Sequence, residues 1–205
     1  MQAYLVAVWA VIPLGMAQSA RRGELFDLKG QLAFYKSYHA DPINSAIHVV
    51  CIPLILWTAL GLYAATAPFL PGAPAWLDWS LLAMLQYSTY YFMMARPESL
   101  ALGGAAATLV AAGWAVHHCH ALRPSMPTLL WLHLGAWLAQ FWGHGVHERR
   151  APALLENLAQ ALLMAPLFVV LEVIFLLGGC AELEEEVSAD AAARRKRMDA
   201  ASKMS

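Results

Sequence analysis

Two short stretches carry most of the side chains able to do chemistry. Residues 34–50, FYKSYHADPINSAIHVV, hold His39, Asn44 and His48, and residues 140–152, QFWGHGVHERRAP, hold Gln140, His144, His147, Glu148, Arg149 and Arg150. Both lie at the boundary of long apolar runs. Imidazole and carboxylate groups are costly to place in hydrocarbon, so their concentration there points to a functional site, and several imidazoles point to a metal ion. Two or three imidazoles with a carboxylate and open positions suit non-haem iron(II) and oxygen chemistry. Zinc-assisted hydrolysis uses similar ligands. Paired histidines such as His48 with His144, or His118 with His133, could instead hold a haem.

The elements that position these residues follow from composition. The 205 residues are 60% hydrophobic and only 13% charged, with a net charge of −1. Crossing roughly 30 Å of hydrocarbon takes about 20 apolar residues, and such runs recur near residues 46–67, 77–95, 99–118, 128–147 and 157–178. The expected fold is all-α: a polytopic transmembrane bundle of four to five spans, with an N-terminal amphipathic helix. That helix would cover residues 21–39, where Leu25, Leu28, Leu32 and Tyr35 recur at three- and four-residue steps, and would lie on the membrane surface. Asp41 followed by Pro42 reads as an N-cap with proline at the first helical position, so a new helix starts there. The expected organisation is an apolar segment 1–20, a membrane-embedded catalytic domain 21–178 and a charged tail 179–205. Residues 1–20 stay open between a secretory signal, with Ala17, Ser19 and Ala20 resembling a cleavage site but no basic start, and a short anchor or interfacial segment. The tail reads as a charged segment, helical or disordered, without chemistry of its own; its basic cluster Arg194, Arg195, Lys196 and Arg197 could touch anionic lipid headgroups, and simple solvation is the more ordinary reading. Its orientation relative to the basic residues before the first span stays open. Cys51, Cys119 and Cys180 show no paired spacing and argue against a disulfide framework or a zinc finger. There is no glycine-rich phosphate loop, no nucleophile elbow and no nucleic-acid surface.

Span order divides the eight histidines. After four crossings the fourth span ends on the face where the first begins, so His39, His48, His144 and His147 can all reach one membrane face. His133 precedes His144 by eleven residues and shares its helical face, yet lies about 16 Å away along the axis. Metal–nitrogen bonds near 2 Å cannot bridge that gap, so His133 belongs with His117, His118 and His120 near the other face. His39 and His48, nine residues apart, would point to opposite sides of one helix, and the Asp41-Pro42 restart removes that objection. Asn44 sits one turn before His48 and can orient a ligand. His144 is spaced i, i+3 from His147 and i, i+4 from Glu148, with Gln140 one turn earlier.

At these residues the sequence resembles the fungal 2-hydroxy fatty acid dioxygenases that convert phytosphingosine-derived 2-hydroxy acids to odd-chain fatty acids. The resemblance runs from about Leu25 to Leu177. It rests on Tyr38-His39, Asn44, His48 and Pro53 together with Gln140, Gly143-His144, Glu148 and Pro152-Ala153-Leu154. It implies an iron(II)-dependent enzyme of the endoplasmic reticulum membrane, with essential histidines at His39, His48 and His144. The implied reaction takes a 2-hydroxy fatty acid and O2 to a fatty acid one carbon shorter plus CO2. Family members often carry a second histidine directly after the first, where this chain has Ala40, and His147 or Glu148 would then take its place. Asn44 and Gln140 would support the ligands, and Arg149 or Arg150 would attract the substrate carboxylate at the membrane face. The rival classes are a haem-binding protein and a non-enzymatic, histidine-rich membrane protein.

Overall fold

The structure, a computed structural model, describes residues 26–66, 68–95, 99–119, 121–150 and 158–204, together with Ala17, Ala20, Arg21 and Gly23. The apolar segment 1–20 therefore falls almost wholly outside the described residues. Within them the chain is all-α. Seven α-helices are present, α1 (Leu28–Ser37), α2 (Pro42–Ala64), α3 (Trp79–Ala95), α4 (Leu100–His118), α5 (Met126–Trp142), α6 (Leu158–Leu176) and α7 (Ala181–Met204), with one π-helical segment, Gly143–Glu148, continuing α5. No strand occurs among the described residues.

Two of these helices, α2 and α4, are long and apolar enough to cross a membrane, with mean hydropathies of 2.0 and 1.5. Among the described residues a third candidate exists only if Leu162–Leu176 and Ala181–Ala201, bent by 117° at their junction, are taken as one broken span. Where four to five spans were expected, length and composition therefore support two to three. Helix α3 has seventeen residues, about 26 Å at 1.5 Å per residue, short of a bilayer core unless it thins locally; α5 has the same length before its π-helical continuation.

The described residues form two compact units: one within Cys51–Ala139, the other made of those up to Val50 together with those from Gln140 onward. In the first, α3 packs on α4. Gly103 permits their close approach, since a Cβ there would stand 2.9 Å from the Phe92 carbonyl oxygen. The histidines described in this unit have local partners. His117 Nε2 donates to the Trp57 carbonyl at 2.7 Å. His133 is engaged at both nitrogens, by the Thr58 hydroxyl at 2.8 Å and the Trp137 indole N–H at 3.1 Å. His118 Nε2 lies 3.2 Å from Ser80 Oγ and 3.5 Å from Asp78 Oδ2. His120 is outside the described residues. Among the three thiols, all free, Cys51 is buried, while Cys119 and Cys180 are exposed.

The second unit contains α1, the start of α2, the π-helical segment, α6 and α7. Residues 163–169 of α6 are buried without interruption, as expected of a helix covered on every face. Helix α1 begins at Asp27, whose carboxylate accepts from the Gly30 N–H at 3.0 Å. Its predicted apolar residues Leu28, Leu32 and Tyr35 are indeed buried. Protein covers them, however, rather than a membrane surface: α1 packs on α7 and α6, with the Tyr35 ring 5.2 Å from that of Phe168. Leu25, the first member of that apolar series, is outside the described residues. The restart at Asp41-Pro42 is present, with Asp41 Oδ1 accepting from the N–H groups of Ile43 and Asn44 at 2.9 and 3.1 Å.

The tail expected to be solvated is the helix α7. It buries Leu183, Val187 and Ala191, three residues at four-residue steps, and packs on α1. Its charges face outward or pair, as Lys29 with Glu186 at 2.6 Å.

Candidate metal centre

Three chain segments of the second unit supply the centre. His39 comes from the loop between α1 and α2, His48 from the second turn of α2, and His144 from the π-helical segment. All three are buried, and one nitrogen from each can be chosen so that all lie within 4.8 Å of one another. The ring centroids are 4.3 Å apart for His39–His48, 4.9 Å for His39–His144 and 4.8 Å for His48–His144.

Local helix geometry decides which nitrogen each ring offers. His39 Nδ1 donates to the Tyr35 carbonyl at 2.7 Å, and His48 Nδ1 donates to the Asn44 carbonyl at 2.8 Å. Each acceptor is a carbonyl four residues earlier, so both tautomers are set by the backbone and both Nε2 atoms are left for a ligand. The Tyr35 ring also stacks on His39, with centroids 3.9 Å apart. His39 Nε2 and His144 Nδ1 are buried and have no hydrogen-bond partner among the described residues. A buried polar atom without a partner costs free energy, and a cation at the meeting point of the rings would satisfy both. Burial holds the His39 imidazolium well below its ordinary pKa, and His48 and His144 beside it press the same way, against the Tyr35 bond. The ring is therefore neutral near pH 7, the state that ligates a metal.

Glu148 stands outside the three-histidine group, and its side chain is fully buried. Its oxygens accept from the N–H groups of Ala40 at 3.3 Å and Asp41 at 3.0 Å, and from Asn44 Nδ2 at 3.2 Å. Arg195 Nη1, from α7, completes the set. Burial alone would raise the Glu148 carboxyl, but Arg195 and the Asp41 and Ala40 amides together hold it below the usual carboxylate value. Glu148 thus bonds the chain directly after His39 and the side chain of Asn44, whose carbonyl fixes His48.

The π winding explains why His147 diverges from His144. Hydrogen bonds of the i→i+5 type turn the chain through fewer degrees per residue than an α-helix, so three residues fall further short of a full turn than they would in an α-helix. His147 Nδ1 lies 4.0 Å from Asp41 Oδ1 and its ring 4.8 Å from that of Trp142. Gln140 is buried, with its Nε2 unpartnered among the described residues. Arg149 ends the segment in the left-handed region at φ 52° and is exposed, whereas Arg150 pairs with Asp199. Pro152-Ala153-Leu154 lies outside the described residues.

The haem alternative does not fit these rings. Three imidazoles packed on one another leave no gap for a porphyrin between His48 and His144, and both nitrogens of His133 are engaged. Two participants escaped sequence reasoning: Tyr35, acting through its carbonyl, and Arg195. The latter had one signal, the stepping Leu183, Val187, Ala191, which reaches position 195 one further turn on.

Comparison with known proteins identifies the family. Residues 25–177 match the family model described as 2-hydroxy-palmitic acid dioxygenase Mpo1-like. The chain is 34% identical over 168 residues to the 2-hydroxy-palmitic acid dioxygenase MPO1 of Saccharomyces cerevisiae, covering 81% of this chain and 90% of that protein. No solved structure matches the chain significantly. A match across most of the sequence, containing every histidine of the buried group, shows that the chain belongs to the 2-hydroxy-palmitic acid dioxygenase Mpo1-like family.

Proposed function

We propose that this protein is an iron(II)-dependent dioxygenase that shortens 2-hydroxy fatty acids by one carbon. The observation that carries the proposal is the buried three-histidine group, with two Nδ1 atoms tied to backbone carbonyls and, among the described residues, an unpartnered nitrogen on His39 and on His144. His39, His48 and His144 would hold the metal. Three neutral imidazoles leave coordination positions open, which suits iron(II) and oxygen chemistry. When bound, iron(II) supplies those open positions and the electrons for oxygen activation.

The overall reaction balances as 2-hydroxy acid plus O2 giving the fatty acid one carbon shorter, CO2 and water. The C1–C2 bond breaks, C2 is oxidised from a secondary alcohol to a carboxylic acid, and O2 takes up the four electrons. The protein's own part is to bind and to exclude. Arg149 forms no ion pair among the described residues and directly follows the histidine-bearing segment, so it is the better placed of the two arginines to meet the substrate carboxylate. Arg150 is already engaged with Asp199. The acyl chain would stay among apolar helices and lipid, in a membrane crossed by α2 and α4 and, where the bilayer thins, by α3 and α5. In a eukaryotic cell the inferred setting is the endoplasmic reticulum, in the breakdown of phytosphingosine-derived 2-hydroxy acids.

The test is anaerobic loading of the detergent-purified chain with iron(II), followed by 2-hydroxypalmitic acid and O2. Pentadecanoic acid and CO2 are expected in equal amounts. Both should require iron and disappear in His39→Ala, His48→Ala and His144→Ala. A folded, iron-loaded protein that consumes no O2 with this substrate would defeat the proposal, as would product formed equally well with zinc.

A further inference from the structure

Helix α7 follows the part of the chain that matches the family model, which ends at residue 177, yet one of its side chains reaches the ligand framework. Arg195 Nη1 bonds the Glu148 carboxylate and lies 3.4 Å from the Ser37 carbonyl oxygen. These two contacts bracket His39. Ser37 is the last residue of α1, two positions before it, and Glu148 bonds the N–H groups of the two residues after it. Arg195 is the only charged donor to this buried carboxylate among the described residues. The other donors are two amides and Asn44, and a buried carboxylate needs both hydrogen bonds and a compensating charge. A planar guanidinium can serve two acceptors at once, whereas an ammonium acts as a point charge.

Resting on the metal reading above, we infer that Arg195 is a positioning residue for the centre. By bridging Glu148 to the end of α1 it fixes the His39 loop and, through Glu148 and Asn44, the turn that carries His48. The C-terminal helix thereby sets how tightly the three histidines hold a divalent cation. Four residues before Arg195, Ala191 is buried against this unit, so the docked helix delivers the guanidinium to one place.

Cobalt(II) is the probe, titrated into the full chain in detergent and followed through its visible absorption, with thermal unfolding recorded alongside. Arg195→Ala should weaken cobalt binding about 10- to 100-fold, the range for removing an outer-shell partner, and alter the cobalt spectrum. Arg195→Lys should fall between wild type and Arg195→Ala. In a Glu148→Gln background, Arg195→Ala should cost little further, because the charge it compensates is gone. Lys29→Ala, which removes a surface contact of the same helix, should bind cobalt like wild type. Wild-type affinity in Arg195→Ala, or the same loss in both Glu148 backgrounds, would overturn the inference. Should Arg195→Ala fail to fold, Arg195→Lys decides: undiminished affinity there overturns the bridging role. Failure of the wild-type chain itself to bind cobalt would remove the metal reading and this inference together, an outcome distinct from loss of the Arg195 effect alone.

Discussion

Gly143 shows how little space separates the segments that hold the histidines. A Cβ on it would stand 2.5 Å from Asn44 Oδ1 and 3.2 Å from Ile47 Cδ1, so any larger residue must displace those two side chains or the π-helical segment itself. Gly143→Ala should cost about 1–3 kcal/mol, the usual range for overpacking. It should also weaken divalent-metal binding, because Asn44 and His144 are displaced together. Calorimetry in detergent with and without cobalt checks both effects, and a variant with unchanged melting and affinity would mean the contact relaxes freely. Glu148 yields a prediction in pH. Its carboxyl titrates below its unfolded value, about 4.3, so its stabilisation is complete above that value and is lost as pH falls through the folded one. On acidification below about pH 4.3 the wild-type melting temperature should drop more steeply than that of Glu148→Gln. Parallel curves would show that the depressed carboxyl does not govern acid stability.

The elements divide into those whose role shows in residue type and those whose role depends on what covers them. His39, His48, His144, Asn44 and Glu148 were legible because polar groups at an apolar boundary need a reason, and the Asp41-Pro42 restart was legible because capping is local. The π winding was not, since GHGVHE gives no local sign of an i→i+5 ladder, and the separate placement of His147 depends on it. Nor was α7 legible as a packed helix. Its charges dominate its composition, while its apolar stripe is narrow: Leu183, Val187 and Ala191. Position on that helix should therefore matter more than charge. Val187→Ala, at a site 1% exposed, should cost about 2 kcal/mol through lost burial and the cavity left behind. Lys29→Ala, which removes a solvent-exposed pair, should cost under about 1 kcal/mol. Thermal unfolding of the two variants in the same detergent compares them, and an equal or reversed order would mean that α7 is held by its ions.

For the molecule as a whole, the governing fact is apolar surface that the protein does not cover itself. The most apolar stretch of α4 is only 28% buried within the structure, and Leu109 on it is 58% exposed. In water such a surface would drive aggregation, and in a bilayer it is the solvated state. Because the termini of α4 are polar or capped, with Ser99 accepting from the Leu102 N–H at one end and His117 and His118 at the other, the helix has the form of a crossing rather than a surface segment. A charge at its centre should then be penalised by lipid. Leu109→Arg should lose about 2.5–3.5 kcal/mol of insertion free energy, while Leu109→Phe should lose none. The measurement is the fraction of chain that resists alkaline carbonate extraction from membranes. Wild type and Leu109→Phe should remain in the pellet, and Leu109→Arg should partition partly to the supernatant or be degraded. If Leu109→Arg remains as firmly integrated as wild type, Leu109 faces protein or water, and α4 must be removed from the set of crossing helices.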